Sequence, residues 1–375
     1  MYLDNISLVN FKNCRQLSLQ FSQGINCFVG HNGAGKTNLL DAVYYLSFCK
    51  SYFNSFDNQN IFHNQDMFVI QGHFHTDKQQ EEIYCAQKKN DRKQFKRNKK
   101  DYGRLSEHIG LLPVVMISPT DTELILEGSE VRRKFVDSII SQIDGDYLNN
   151  LIEYNKALLQ RNAMLKRFHE TQQWDGTLMG IWDEQMIAKG NAIFKKRKEF
   201  TESFTKLFEV VYSEISGSRE KTSVEYNSQL FEGDYAGLLV KAENKDRAVL
   251  YSTTGIHKDD WSFTNEGYPL KKFASQGQQK SFIIALKIAQ FHFLRNHFKF
   301  PPILLLDDIF DKLDEERVSF LIEMVTGEDF QQVFITDTSF TRMKKLLEKQ
   351  EKDYKIFPIS EGNMSEVQEP NLVQS

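Results

Sequence analysis

The chain has 375 residues, of which 40% are apolar, and a formal net charge of −4. The length predicts about two to three domains with packed cores, and the slightly acidic balance restricts any nucleic-acid contact to local basic patches. Four cysteines at wide spacings indicate neither a zinc site nor a disulfide framework. The sequence shows no signal-peptide pattern and no apolar run of bilayer length, so we expect a cytoplasmic protein without a membrane partner.

The first part of the chain alternates between apolar and polar residues, which is typical of strands. This alternation predicts three strands, at 2–11, 17–21 and 25–30. Apolar residues at helical spacing then predict a helix at 37–48, followed by further strands at 68–75, 81–87 and 113–118.

From residue 126 to 247 the pattern changes to long helices. One apolar stripe there predicts a core between packed helices, with a partner-binding or coiled-coil seam as the alternative: Phe200, Phe204, Leu207, Phe208 and Val211. Strand and helix alternation then returns. The expected organisation is an α/β head in two segments (1–125 and 248–362), split by a mainly helical arm (126–247), with a disordered tail at 363–375.

A glycine-rich loop lies between the third predicted strand and the first predicted helix. It fits the pattern G-x-x-x-x-G-K-S/T in full, and it comprises Gly30, His31, Asn32, Gly33, Ala34, Gly35, Lys36 and Thr37. Glycines let backbone N–H groups approach phosphates, and the helix N-terminus favours negative charge. Lys36 is expected to reach the β- and γ-phosphates and Thr37 to ligate Mg²⁺. The loop predicts nucleotide binding; a glycine turn that merely opens a helix is the structural alternative.

The stretch PPILLLDDIFDKLD places two aspartates at the end of a short apolar strand, 303–306. Such a strand is typical of a parallel sheet, whose carboxyl edge carries the ligand chemistry. Asp307 is expected to hold Mg²⁺, and Asp308 to orient or polarise the attacking water. The alternative is that both aspartates only end a strand and cap a turn.

The stretch ASQGQQKSF opens a strongly apolar helix. Ser275 and Gln278 have the spacing of a capping box, which by itself explains both residues. Gly277 is unfavourable inside a helix and useful where a ligand approaches the backbone. A serine beside free N–H groups makes this helix start a second candidate phosphate site.

The order of these three motifs resembles the ATP-binding-cassette superfamily. In this comparison 275–279 are similar to the signature motif, and 311–314 to the loop that follows the acidic strand. In such proteins the signature of one subunit binds the γ-phosphate held by the other. The resemblance therefore implies ATP as the nucleotide and a homodimer that forms on ATP binding.

Five stretches narrow the resemblance to the RecF family of bacterial recombination mediators: 8–52, 117–137, 253–260, 274–282 and 304–314. They lie along most of the chain in the family's order. The resemblance implies an α/β fold of the ABC/SMC type, a P-loop ATPase head with an inserted helical arm. It also implies an ATP-bound dimer that clamps single-stranded DNA or single/double-strand junctions. With RecO and RecR such a protein helps to load RecA at gaps, supports SOS induction, and resets by slow, DNA-stimulated ATP hydrolysis.

Two departures bear on hydrolysis. Asp308 stands where cassette proteins usually carry a glutamate that is one methylene longer. The switch histidine expected after the strand QQVFIT is replaced by residues 336–338, Thr-Asp-Thr. We therefore expect slow turnover and a long-lived ATP-bound dimer.

Three other features keep two interpretations each, and a fourth keeps one. The basic run 88–104 is either a DNA contact or a solvated hairpin with its tip at 97–99. His257, Lys258 and Asp259 form either a site cluster or a structural turn. Paired arginines at 132–133 are either family-specific or solvated, and the basic cluster 194–200 reads as a solvated helix face.

Two other functional classes remain open from the sequence. The first is the nucleotide-binding domain of a membrane transporter, against which the long helical insertion and the missing histidine argue. The second is a scaffold that uses ATP only to hold a dimer together, which Asp308 does not exclude.

Overall fold

The computed structural model describes residues 1–76, 79–217, 220–310 and 315–364. The chain divides into two compact units: unit 1 contains Met1–Asp121 and Phe291–Ser375, and unit 2 contains Thr122–Gln290. Unit 2 extends beyond the arm expected at 126–247, because a strand at Asp260–Asn265 pairs with one at Thr222–Asn227. The predicted domain bounds themselves stay a prediction.

The strands of the described residues are β1 (Tyr2–Phe11), β2 (Cys14–Gln20), β3 (Ile25–Val29), β4 (Met67–His75), β5 (Gln80–Lys88), β6 (Gln94–Arg97), β7 (Lys100–Asp101), β8 (Val114–Ile117), β9 (Thr222–Asn227), β10 (Asp260–Asn265), β11 (Tyr268–Pro269), β12 (Ile303–Leu306), β13 (Val333–Asp337), β14 (Tyr354–Ser360) and β15 (Asn363–Met364). The helices are α1 (Lys36–Phe48), α2 (Glu123–Leu126), α3 (Ser129–Ile143), α4 (Gly145–Thr171), α5 (Gly176–Ser216), α6 (Tyr235–Val249), α7 (Leu270–Phe273), α8 (Gln276–His297), α9 (Glu315–Thr326) and α10 (Phe340–Leu347).

Unit 1 contains two sheets with a helix packed against both. One sheet is antiparallel, in the order β2-β1-β4-β5-β6-β7. The other has the order β15-β14-β3-β13-β12-β8 and is parallel from β14 to β8. Helix α1 contacts strands of both sheets, which explains why apolar residues cover most of its surface. The core of unit 1 includes the rings of Phe21, Phe28, Phe334 and Phe357.

The direction of the parallel strands determines where the candidate site residues lie. All four residues of β12 are buried, as expected for a strand covered on both faces. Strands β3, β13, β12 and β8 are neighbours and run in the same direction, so their carboxyl ends meet at one edge. The glycine loop follows β3 and Asp307 follows β12, so both lie at this edge.

Unit 2 is mainly helical and also contains the sheet β11-β10-β9. The apolar stripe on α5 is core: Phe200, Phe204, Phe208 and Val211 are buried. The interpretation of 194–200 as a solvated face is wrong for Arg197, which is 1% exposed. Its guanidinium bonds the carboxylates of Asp137 and Asp259 across the helices.

The predicted tail begins at residue 363, whereas Asn363 and Met364 pair with β14. The rest of that tail, 365–375, lies outside the described residues, as do 311–314, the stretch similar to the loop after the acidic strand. Among the helices that the structure describes, none combines the length and the apolar character required to cross a bilayer.

Candidate nucleotide-binding site

The loop between β3 and α1 has the backbone that the glycine pattern predicts. Gly33 and Gly35 have φ angles of 82° and 107°, in the left-handed region that favours glycine. A Cβ at Gly30 would lie 2.2 Å from the carbonyl oxygen of Ile359, so no side chain fits there. His31, Asn32 and Gly33 are exposed at the tip of the loop, whereas Ala34 is buried.

Lys36 crosses the inside of this loop. Its Nζ donates hydrogen bonds to the carbonyl oxygens of Gly30, at 2.9 Å, and His31, at 3.1 Å. The residue is only 3% exposed although its side chain is charged. The ammonium is thus held within the loop, where it can exchange carbonyl oxygens for phosphate oxygens.

Two polar pairs fix the base of the loop and of α1. Asn13 accepts a hydrogen bond from Nδ2 of Asn38 at 2.7 Å. The buried carboxylate of Asp41 pairs with Lys12 at 2.6 Å and accepts a bond from the Ser51 hydroxyl at 2.6 Å. These partners are distant in sequence and were not predicted, since no local pattern marks them.

Thr37 and Asp307 meet at the carboxyl edge of the parallel sheet. The Thr37 hydroxyl donates to Oδ1 of Asp307 at 2.8 Å. Asp307 is buried, and burial raises the pKa of its carboxyl above the ordinary value, while the hydrogen bonds from Thr37 and Thr336 lower it. Hydroxyl and carboxylate oxygens are the donors that Mg²⁺ prefers, so this pair fits a magnesium ion.

Asp308 follows in a left-handed backbone conformation, with a φ of 43°. Its N–H donates to Oγ1 of Thr336 at 2.8 Å, and that hydroxyl lies 3.0 Å from Oδ1 of Asp307. In the sequence, position 336 is notable only because a histidine is absent there. Its place at the end of the apolar run QQVFI could have indicated a site residue, because the carboxyl ends of neighbouring parallel strands lie at the same edge of a sheet.

The structure brings Lys36, Thr37, Asp307 and Asp308 together at one edge of unit 1. Beside this edge is a cavity of about 1020 Å³, lined by Lys12, Asn13, Thr37, Asn38, Phe53, Asn54, Asn58, Gln59, Ile61, Phe62, His63, Asn64, Gln65, Lys89 and Glu361. Its volume is at the upper end of small-molecule and cofactor sites.

The predicted residues of the third motif belong to unit 2, at the start of α8. The capping box is reciprocal: Ser275 N–H donates to Oε1 of Gln278 at 2.8 Å, and Gln278 N–H donates to the Ser275 hydroxyl at 3.2 Å. Gln278 also donates to a carboxylate oxygen of Glu220 at 2.8 Å. Ser275 and Gln276 are exposed, and Gly277 is partly exposed. Capping thus explains Ser275 and Gln278 structurally and leaves the first turn of α8 accessible to solvent.

The basic run 88–104 comprises the last residue of β5, strands β6 and β7, and the turns around them. Asn98 and Lys99 have φ angles of 50° and 66° at the hairpin tip, the geometry predicted for a two-residue turn. Several cations of the run are engaged within unit 1: Arg97 with Glu81, Lys93 with Asp57 and Lys96 with Asp101. Six cations of the run make no ion pair in the described part of the chain: Lys88, Lys89 and Arg92 before β6, Lys99 and Lys100 beyond its other end, and Arg104 after β7.

The other candidates in unit 2 are structural. Nε2 of His257 donates to the carbonyl oxygen of Ser252 at 2.9 Å, and Nδ1 of the neutral ring accepts from the Tyr154 hydroxyl at 2.8 Å. Burial lowers the pKa of His257 to about 4. Asp259 is bonded to Arg197, whereas Lys258 is exposed. The structure therefore supports the structural turn for His257 and Asp259.

The paired arginines of α3 are also engaged within unit 2. Arg132 makes two bonds to the carboxylate of Asp260, at 2.7 and 3.1 Å. Arg133 donates to the carbonyl of Asp259 at 2.8 Å. Neither arginine is simply solvated.

A family model described as "RecF/RecN/SMC N terminal domain" matches residues 2–365. The "DNA replication and repair protein RecF" of Phocaeicola vulgatus is 50% identical over 371 residues, which cover 98% of this chain and 99% of that protein. The protein of the same name from Flavobacterium johnsoniae is 50% identical over 357 residues, covering 95% and 99%.

Two solved structures bear on the fold. "Structure of the recombination mediator protein RecF-ATP in RecFOR pathway" superposes with a TM-score of 0.88 at 30% identity, covering 98% of this chain and 97% of that one. The Smc head domain of Pyrococcus furiosus superposes with a TM-score of 0.56 at 17% identity, covering 98% and 96%, and shows a shared fold. The predicted ABC/SMC-type α/β fold is thereby confirmed.

Proposed function

The chain belongs to the RecF family, and from this premise we propose that it is an ATP-binding protein of DNA replication and recombinational repair. In this proposal ATP joins two copies of the chain around DNA, and slow hydrolysis separates them. The observation that carries the proposal is the phosphate loop with Thr37 bonded to Asp307 at its base. Membership of the RecF family also argues against the alternative that the chain is the nucleotide-binding domain of a membrane transporter.

We assign nucleotide binding to the residues at the edge of the parallel sheet. Backbone N–H groups of the loop and of the first turn of α1 face the phosphates, and Lys36 exchanges its two carbonyl contacts for phosphate oxygens. Thr37 and Asp307 would hold Mg²⁺, which when bound neutralises phosphate charge and polarises the terminal phosphoryl group. A RecF structure described as RecF-ATP, 30% identical over 98% of this chain, supports ATP as the nucleotide.

We assign the second half of the site to the start of α8 in another copy of the chain. Ser275 and the free N–H groups of Gln276 and Gly277 present hydrogen-bond donors at the positive end of a long helix dipole. The role follows from the family resemblance of 275–279 to the signature motif. One copy alone would then bind ATP without closing the site.

We expect slow hydrolysis because the two groups that would activate water are a short side chain and a carboxylate that is already hydrogen-bonded. Asp308 is shorter than glutamate and is held by a backbone turn with φ of 43°. Asp337, which stands where a switch histidine is expected, bonds Arg342 at 2.5 Å and the N–H of Ser339 at 2.6 Å. Its carboxylate is therefore occupied. Two copies could be held together by ATP that is never hydrolysed. Hydrolysis therefore has to be measured to distinguish the ATPase from the scaffold.

We assign DNA contact to the unpaired cations of the basic run. Alanine at Lys96 or Arg97 would break intramolecular pairs, so those positions do not test DNA binding cleanly. Lys99 and Lys100 are exposed, and their ammonium groups make no ion pair with the residues that the structure describes. The double variant Lys99→Ala/Lys100→Ala should weaken DNA binding and reduce the slope of log K against log salt by about 1.4–1.8.

The matched control is Lys241→Ala/Lys245→Ala, which removes the same charge from the exposed face of α6. A salt slope that changes equally in both variants would argue against a contact at the hairpin. The triple variant Lys88→Ala/Lys89→Ala/Arg92→Ala tests the group at the other end of β6 in the same way.

The proposal as a whole is tested by four measurements on one set of variants: ATP binding, dimer formation, hydrolysis and DNA binding. Lys36→Met should abolish ATP binding. Ser275→Arg should bind ATP without dimerising, whereas Thr177→Arg, at the exposed start of α5, should behave as the parent protein. Asp308→Asn should trap the dimer. Dimerisation of Ser275→Arg with ATP would refute the composite site, and a parent protein that dimerises without any turnover would favour the scaffold.

A further inference from the structure

Thr336 is the last residue but one of β13 and is completely buried. Its strand lies between β12 and β3, with Ile335 opposite Leu306 and Thr336 opposite Phe28. The residue therefore stands between the strand that carries the aspartates and the strand that leads into the phosphate loop.

The Thr336 hydroxyl uses both of its hydrogen-bonding capacities on the two aspartates. Oγ1 accepts from the N–H of Asp308 at 2.8 Å and donates to Oδ1 of Asp307 at 3.0 Å. Oδ1 of Asp308 is farther away, at 3.4 Å, so Asp307 receives the proton of the hydroxyl. One buried side chain thus fixes the carboxylate of one aspartate and the backbone of the next.

The backbone contact matters because Asp308 is not in a relaxed conformation. A φ of 43° lies in the left-handed region, which is disfavoured for a residue with a Cβ. This turn decides the direction in which the Asp308 carboxylate leaves the end of β12. The hydrogen bond from the N–H of Asp308 to Thr336 holds this turn against the end of β13.

We propose that Thr336 is a positioning residue that sets the carboxylate of Asp307 for the metal and the turn of Asp308 for water activation. The inference rests on the proposed function of this site as a magnesium-dependent ATPase. The Thr336 hydroxyl would orient both aspartates from a position next to the one where a switch histidine is expected. Outer partners of metal-binding carboxylates commonly decide metal affinity in this way.

The test compares Thr336→Val, which keeps the shape and removes the hydroxyl, with Thr336→Ser, which keeps the hydroxyl. Two measurements are made: steady-state hydrolysis, which gives kcat and KM for ATP, and the Mg²⁺ concentration at half-saturation of ATP binding. We expect Thr336→Val to lower kcat about 10- to 100-fold with KM changed much less, and to raise the Mg²⁺ midpoint about tenfold. Thr336→Ser should remain near the parent protein in both.

Thr201→Val is the matched control for the loss of a buried threonine hydroxyl. Thr201 is buried in α5, donates to the carbonyl of Arg197 at 2.8 Å and accepts from Trp261 at 2.9 Å. It should lower the melting temperature without changing kcat or the Mg²⁺ midpoint. Should Thr336→Val fail to fold, Thr336→Cys replaces it, since a thiol is a weak hydrogen-bonding group of similar size.

The outcomes separate the inference from the function on which it rests. Equal kcat and Mg²⁺ midpoints in the valine or cysteine variant and the parent would overturn the role of Thr336 alone. A serine variant as impaired as the valine variant would also overturn it, because the hydroxyl would then not be the active feature. A parent protein that binds no ATP would refute the proposed function and the inference with it, whereas a parent that binds without turnover still tests the Mg²⁺ midpoint.

Discussion

Replacing Gly30 by alanine tests whether the phosphate loop works through the placement of its backbone. The added Cβ would lie 2.2 Å from the carbonyl oxygen of Ile359, and real Cβ contacts are essentially never shorter than 3.0 Å, so the loop or the end of β14 must move by at least 0.8 Å. A hydrogen bond of about 2.9 Å would lengthen to about 3.7 Å, which is no longer a hydrogen bond. Losing one bond to a charged phosphate costs about 1.5–3 kcal/mol, or about 10- to 150-fold in ATP affinity.

The assay is equilibrium binding of a fluorescent ATP analogue to Gly30→Ala and the parent protein. Gly103→Ala is the control in the same unit, because its Cβ would meet only Glu107 Oε1, at an ordinary 3.6 Å. It should bind as the parent does. A Gly30→Ala protein that binds ATP within about threefold of the parent would refute the reasoning, since the displacement would then not reach the phosphates.

The remaining predictions concern unit 2, which contains all three tryptophans, so that tryptophan fluorescence reports its unfolding. Arg197→Met should destabilise it by about 3–5 kcal/mol in urea unfolding, because the buried carboxylate of Asp259 loses its partner, whereas exposed Lys195→Met should change stability by less than about 0.5 kcal/mol. The low pKa of His257, about 4, means that the unfolded state binds its proton first as pH falls below about 6.5. Stability should therefore decrease between pH 6.5 and 4, by at most about 1.4 kcal/mol per pH unit from this residue, and His257→Gln should reduce that slope. An equally steep decrease in the variant would contradict the assignment.

Local patterns were enough to predict most elements of unit 1. The predicted strands at 2–11, 25–30 and 303–306 are confirmed to within one residue, because alternation and short apolar runs report directly on burial. The glycine loop was equally predictable, since its glycines form one contiguous pattern between a strand and a helix, although the atom that excludes a Cβ at Gly30 belongs to Ile359, far along the chain. The predicted roles of Ser275 and of the aspartates stay predictions.

The features that sequence analysis missed depend on residues far apart in the chain. Arg197 reads as part of a basic surface, yet its partner Asp259 is brought to it by tertiary packing. The run 88–104 looks like one basic cluster, but pairing of β5 with β6 sends its free cations to opposite ends of a strand. Thr336 gains its two contacts only because β13 pairs with β12. The periodicity of apolar residues along the sequence does not indicate which distant residues come into contact.

The most direct test of the central claim is the mass of the protein in solution with ATP and Mg²⁺, measured by sedimentation for Asp308→Asn with and without Ser275→Arg. The account predicts a monomer without nucleotide and a dimer with ATP for Asp308→Asn, and a monomer under both conditions when Ser275→Arg is added. Lys36→Met should stay monomeric throughout. A dimer that forms without ATP, or one that persists with ATP in the Ser275→Arg protein, would contradict a site completed by the second copy.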